Sequence, residues 1–265
     1  MLILLSPAKN MSFDPIEREL PATEPALIDE TRILSKTTRQ LSASQIKSMM
    51  KINDDLARLN RERFQAFDAD QPGEKQAAFA FNGEVARGLD AASLSDEDLA
   101  YAQDHLRILS GMYGALRPLD AIHPYRLEMG RKLHTRRGET LYDFWGDKIA
   151  KHLNSLQADA DEPVILNLAS NEYFKSVDKK TIKGRVITAN FKEEKDGQLR
   201  ALMVYAKKAR GMMARWAIQN RIEDPADLKK FDLGGYRFDP EGSKDGDLLF
   251  TRPQPVTATQ KKKAA

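Results

Sequence analysis

The chain opens on an unbroken apolar run, Met1 to Leu5, that stops at Ser6-Pro7. Hydrophobicity without alternation predicts a strand buried on both faces, as in the middle of an α/β sheet. Similar runs predict strands at Leu106–Leu109, which leads into Ser110-Gly111, at Val164–Leu168 behind Pro163, and at Arg185–Phe191. Asp196-Gly197 followed by Leu199 to Tyr205 reads as a hairpin, since Asp-Gly readily adopts the positive φ angles of a tight β-turn. Gly235–Phe238 and Leu248–Thr251 flank a turn-rich Pro-Glu-Gly-Ser-Lys-Asp-Gly segment and predict a second hairpin.

Apolar residues at helical spacing predict helices over 27–40, from Gln45 toward Ile52, over Asp54–Phe67, and more weakly over Gln76–Leu89. Ser95 followed by Asp96, Glu97 and Asp98 is an N-cap with first-turn acids, starting a helix that runs through His105. Leu141–Leu156 and Ala206–Ile222 are predicted as two more helices, while the prolines between Asp14 and Pro25 mark a loop. Strands separated by helices and closed by antiparallel hairpins predict an α/β fold: a single compact domain over 1–258 with a mixed sheet. Within it, residues 27–90 form a helical insertion near the N-terminus, and 259–265 are a disordered basic tail. Leu41-Ser42-Ala43-Ser44, between two helices, suggests a helix-hairpin-helix-like element presenting backbone N–H groups to DNA phosphates. The glycine usual in such a hairpin is missing, and two packed helices with no ligand give the same pattern.

Composition narrows the chemistry. The 265 residues include no cysteine, which excludes disulfides, thiolate metal sites and a cysteine nucleophile. No apolar stretch approaches membrane-spanning length and no basic leader precedes one, so a cytoplasmic protein without membrane contact is expected. The formal charge of +3 is small, but its distribution is uneven. From Arg107 to Arg137 there are seven basic residues, Arg107, Arg117, Arg126, Arg131, Lys132, Arg136 and Arg137, against two acids, Asp120 and Glu128. Arginines interleaved with Tyr113, His123 and Tyr125 suit phosphate contact and base stacking. An arginine-rich loop paired with acids on neighbouring helices is the plainer alternative.

Along Ala206–Ile222, Ala206, Ala209, Met213 and Trp216 share one stripe, and Lys207, Lys208, Arg210, Arg215 and Arg221 fall away from it with no acid before Glu223. That predicts a helix with one packing face and one wholly basic face, suited to an extended anionic partner. Arg107, Arg117, Arg126, Arg136, Arg137, Lys207, Lys208, Arg210 and Arg215 are therefore the expected nucleic-acid contacts, with DNA the expected partner of a monomer.

Three predicted strands end alike, in Ser6-Pro-Ala-Lys9, Ser110-Gly-Met-Tyr113 and Ser170-Asn-Glu-Tyr173-Phe-Lys175. If the strands are parallel neighbours, these ends meet on the sheet edge where open α/β folds bind ligands. Ser6, Lys9, Ser110, Tyr113, Asn167, Ser170, Tyr173 and Lys175 would then line one pocket. Serine is also a common strand terminator, and no residue pair identifies a reaction, so the catalytic residues are left open. His105, His123, His134 and His152 show no helical metal-ligand spacing, and no phosphate-loop, dinucleotide or nucleophile-elbow pattern occurs. Neither a metal nor a cofactor is expected.

Four of these stretches, Leu-Leu-Ser-Pro-Ala-Lys9, Ile-Leu-Ser-Gly-Met-Tyr-Gly-Ala-Leu-Arg-Pro-Leu-Asp120, Asn-Leu-Ala-Ser-Asn-Glu-Tyr-Phe174 and Lys-Lys-Ala-Arg-Gly-Met-Met-Ala-Arg215, carry a resemblance. By them the chain resembles the YaaA peroxide stress protein family along nearly its whole length. The resemblance implies a cytosolic protein induced by hydrogen peroxide that limits damage from unincorporated iron and protects DNA. It also implies DNA binding through a basic cleft and a helix-hairpin-helix on an unusual compact α/β fold. The pattern Ser-x-x-Tyr-Gly, Arg-Pro and Pro-Tyr also looks like small families associated with nucleobase modification. This keeps an enzyme acting on a nucleobase or nucleotide at the strand ends as the alternative, with Lys9, Tyr113, Arg117, Asn167 and Tyr173 holding a nucleotide-like small molecule.

Overall fold

The computed structural model describes residues 1–255; the expected basic tail over 259–265 lies outside them. An eight-stranded mixed sheet organises the molecule. Its strands are β1 (Leu2–Leu5), β2 (Leu106–Ser110), β3 (Gly114–Leu116), β4 (Val164–Leu168), β5 (Arg185–Lys195), β6 (Gln198–Arg200), β7 (Arg237–Lys244) and β8 (Asp247–Pro253). The order across the sheet is β7-β8-β5-β4-β1-β2-β3, with β6 folded back on β5. β8, β5, β4, β1 and β2 are parallel neighbours, and β3, β6 and β7 are antiparallel additions. Every residue of β1 is buried, as its continuous apolar run requires of a central strand, whereas β5 buries alternate residues from Ile187 to Glu193.

The helices are α1 (Ile28–Thr38), α2 (Ala43–Met50), α3 (Asp54–Ala66), α4 (Ala77–Ala80), α5 (Glu84–Leu89), α6 (Asp96–His105), α7 (Leu141–Trp145), α8 (Lys148–Ser155), α9 (Asn171–Phe174) and α10 (Met203–Gln219). Ser95 caps α6 as its sequence predicts, its hydroxyl accepting from the Asp98 N–H at 3.0 Å. Three elements differ from the sequence reading. The helix expected over Leu141–Leu156 breaks at Gly146, whose φ of 50° suits glycine, so α7 and α8 are separate. Gln76–Leu89 is also interrupted, because Phe81–Asn82 leaves the helical path to pair with Asn10–Met11. The Asp196-Gly197 turn forms, but its second arm ends at Arg200 and α10 begins at Met203. β6 is wholly exposed and buries nothing to prolong it, while the Ala206, Ala209, Met213 stripe of α10 packs inward.

α10 lies against the sheet and crosses α5 at two glycines. A Cβ at Gly211 would stand 2.0 Å from the Val85 carbonyl oxygen, and one at Gly88 2.1 Å from that of Lys208. Neither position has room for a side chain. α2, opened by a Ser42–Gln45 capping box, packs against α3 and turns into it through Lys51-Ile52-Asn53, with Asn53 capping α3. The expected hairpin at Leu41–Ser44 is therefore the start of α2, and the tight turn comes one helix later. Lys51 holds a φ of 54° there, the left-handed conformation for which glycine is the usual choice.

Candidate functional site

β4, β1 and β2 are adjacent and parallel, so their carboxyl ends share one edge of the sheet. Ser6 and Ser170 meet there: the Ser6 hydroxyl accepts from the Ser170 N–H at 2.8 Å and donates to the Ser170 hydroxyl at 3.3 Å. Ser110, closing β2, accepts from the N–H groups of Met112 and Tyr113 and lies 2.6 Å from the Tyr125 hydroxyl. A small pocket opens beyond these ends, walled by Lys9, Phe81, Tyr125, Arg126, Glu128 and Tyr173.

Glu128 is 2% exposed and gathers three cations: Lys9 at 3.4 Å, Arg126 at 3.1 Å and Arg131 at 3.2 Å. Burial alone would raise its carboxyl, but the hydrogen bonds and charges of Arg131 and Arg126 prevail and hold it below the ordinary carboxylate range. Of the eight residues expected in this pocket, Lys9 and Tyr173 line it, whereas Ser6, Ser110 and Ser170 lie at the strand ends without lining it. The other three face elsewhere. Tyr113 is buried with its hydroxyl accepting from the His123 N–H, and it borders a separate pocket beside Thr23 and Asp70. Asn167 donates to Thr188 and accepts from the Ala169 N–H, and the Lys175 ammonium sits over the Tyr142 ring at 4.8 Å. Tyr125, Arg126 and Glu128 come from a loop between strands, where periodicity gives no signal.

The basic segment divides on inspection of its partners. Arg107 is 3% exposed, donates to the Gln103 and Leu106 carbonyls, and is lowered by burial to about 10, so it is still cationic at neutral pH. Arg117 clasps the buried Asp120 through its backbone N–H at 2.7 Å and its Nε at 2.9 Å. Arg126 is held by Glu128, while Arg137 pairs with Glu30 and covers the Phe144 ring at 4.7 Å. Arg136 is exposed.

On α10 the expectation of one wholly basic face is corrected, because the helix is covered by α5 and α6 as well as by the sheet. Arg215 donates to the Leu89 and Asp90 carbonyls at the end of α5, at 3.1 and 2.8 Å. Arg221 pairs with Asp98 at 2.8 Å, and the Arg210 Nε is buried. Lys207 and Lys208 are exposed.

A second concavity lies between α1, α2 and the loop Gly130–His134, a groove of about 920 Å³. Lys51, Arg131, Lys132 and His134 line it together with Gln40 and Gln45, and its walls carry no carboxylate among the described residues. Arg131 lines this groove and also holds Glu128, which walls the strand-end pocket. Lys51 is the residue that sequence periodicity passed over. Its only signal was its place at the end of the predicted helix from Gln45 toward Ile52.

Among the described residues, no helix is long and apolar enough to cross a membrane. The family model described as peroxide stress protein YaaA matches residues 1–242. Relatives named UPF0246 proteins include one from Maricaulis maris, 82% identical over 98% of this chain and 99% of its own length. Another, from Phenylobacterium zucineum, is 53% identical over 96% of both chains, and one from Caulobacter vibrioides is 53% identical over 96% of this chain and all of its own. With the family model and these relatives matching over nearly the whole length, the chain belongs to the peroxide stress protein YaaA family.

Proposed function

We propose that this protein binds DNA during peroxide stress, protecting it and limiting damage from unincorporated iron. The observation that carries the DNA reading is the groove between α1, α2 and Gly130–His134. Two of its cations, Lys51 and Lys132, have no ion-pair partner among the described residues and face a concavity without carboxylates, so they attract an anion; Arg131 lines it too, although it is held by Glu128. The polar lining of Gln40, Gln45 and Ser48 suits hydrogen bonding to phosphate and sugar oxygens. Exposed Lys207, Lys208 and Arg136 add contacts for an extended polyanion. The link to iron rests on the family alone.

Fluorescence-anisotropy titration with labelled duplex, bulged and single-stranded DNA at two salt concentrations tests the reading. Salt-sensitive binding supports it, because phosphate contacts release counterions. Absence of binding at low salt overturns it.

A further inference from the structure

The pocket that Tyr113 borders lies between the chain at residues 22–28 and the loop at 69–73, and it shares no lining residue with the strand-end pocket or the basic groove. Its volume is about 210 Å³, whereas the strand-end pocket, at about 10 Å³, has room for one water. A cavity of ~150 Å³ already admits benzene, so this one can take a ring with a short arm. Pro25, Ile28, Ala69, Pro72 and Ala121 give it apolar walls. Its outer loop is pinned in place. The His123 Nε2–H donates to the Gln71 carbonyl at 3.2 Å, and Gly73 lies so close to the Ala121–Ile122 peptide that a Cβ there would stand 2.3 Å from it.

Two polar features converge on this space. The Tyr113 hydroxyl accepts from the His123 N–H at 3.0 Å, but its own proton has no acceptor among the described residues, although the residue is only 1% exposed. Burial pushes the phenol above its ordinary value, so it stays a donor at physiological pH. A donor buried so deeply normally has a partner. At the mouth, Glu24 and Asp70 keep 71% and 73% of their side chains exposed and share the Arg32 guanidinium with Asp29. Arg117, which donates to the Glu24 carbonyl, is balanced by Asp120. Three carboxylates about Arg32 therefore leave two negative charges beside the opening, the reverse of the groove, and such an opening repels phosphate and attracts a cation.

We propose that this pocket binds a small aromatic amine, its ring between Pro25, Ile28 and Pro72, an oxygen or nitrogen atom accepting from the Tyr113 hydroxyl, and its ammonium at the mouth beside Glu24 and Asp70. The site is distinct from the groove and stands whether or not the groove binds DNA.

Isothermal titration calorimetry of the full chain tests the assignment with four probes: tyramine, phenethylamine, which lacks the acceptor, p-cresol, which lacks the ammonium, and 4-hydroxyphenylacetate, which reverses the charge. Saturable one-site binding of tyramine is expected, about fivefold or more tighter than that of phenethylamine or p-cresol, with no measurable binding of 4-hydroxyphenylacetate. Tyr113→Phe is expected to weaken tyramine by about fivefold and to leave phenethylamine unchanged, a split that a merely loosened pocket would not produce. Glu24→Gln/Asp70→Asn changes only exposed side chains and so keeps the fold, as circular dichroism would show. It is expected to weaken tyramine about tenfold and to leave p-cresol within twofold. No heat from tyramine up to about 10 mM overturns the proposal. So does equal affinity for tyramine and 4-hydroxyphenylacetate, or unchanged tyramine affinity in the folded Glu24→Gln/Asp70→Asn protein.

Discussion

Arg117 and Lys132 lie fifteen positions apart in one basic segment, yet the fold uses their charges in opposite ways. Arg117 is committed to Asp120, a fully buried carboxylate that also accepts from Thr23 at 2.7 Å, and so it contributes to stability. Lys132 projects into a groove without a carboxylate and has no ion-pair partner among the described residues. The same division separates Arg215, hydrogen-bonded to the end of α5, from Lys207 one helix face away. A count of basic residues therefore overstates the charge available to a partner. The cations that matter for binding are those whose acids are missing in space, and arginine with its planar fork tends to be the one held inside.

The largest effect expected on stability comes from Glu128→Gln, which leaves three cations facing one another around a buried amide. Urea denaturation is expected to show a loss of about 3–4 kcal/mol. Arg117→Met is next, at about 3 kcal/mol, because Asp120 loses its charged partner; DNA affinity of the folded variant is expected to stay within twofold of wild type. A folded Arg117→Met protein of normal stability but weakened DNA binding would break the comparison.

His152 provides a third test through pH. Burial, and then the charges of Arg107 and Arg117, lower its imidazole to about 4 against an ordinary 6.5. Between these values the unfolded chain binds the proton and the folded chain does not, so stability falls as pH drops from 6.5 toward 4. Allowing for partial solvent access, about 2 kcal/mol is lost over that window. His152→Phe is expected to flatten the profile there. Glu128 acts in the same direction at lower pH: its depressed carboxyl contributes stability above the ordinary carboxylate value that is lost as protonation reaches it. The smallest stability effect is expected for Lys51→Glu/Lys132→Glu, within about 0.5 kcal/mol, although it should weaken DNA binding most.

Much of the fold was legible because burial imprints periodicity. The continuous runs Met1–Leu5 and Val164–Leu168 became adjacent central strands, and the alignment of their serine-ended termini with that of β2 followed from parallel pairing. Gly146 and Lys51 were not legible in this way. A single residue with positive φ redirects the chain without altering the hydrophobic pattern around it. The candidate sites were read in part for a related reason. Ser6, Ser170, Lys9 and Tyr173 follow strands and could be placed from them, whereas Tyr125, Arg126 and Glu128 lie on a loop whose path is set by tertiary contacts. The internal pairs of Arg137 and Arg221 were invisible because their carboxylates, Glu30 and Asp98, are distant in sequence.

The central claim is that the groove cations, rather than the arginines of the interior, meet DNA. It is tested most directly by the slope of log affinity against log salt for wild type and for Lys51→Glu/Lys132→Glu on the same duplex. Loss of two phosphate contacts is expected to reduce the magnitude of the slope by about 2. An unchanged slope and affinity in the folded variant would contradict the account and place the DNA contact elsewhere on the molecule.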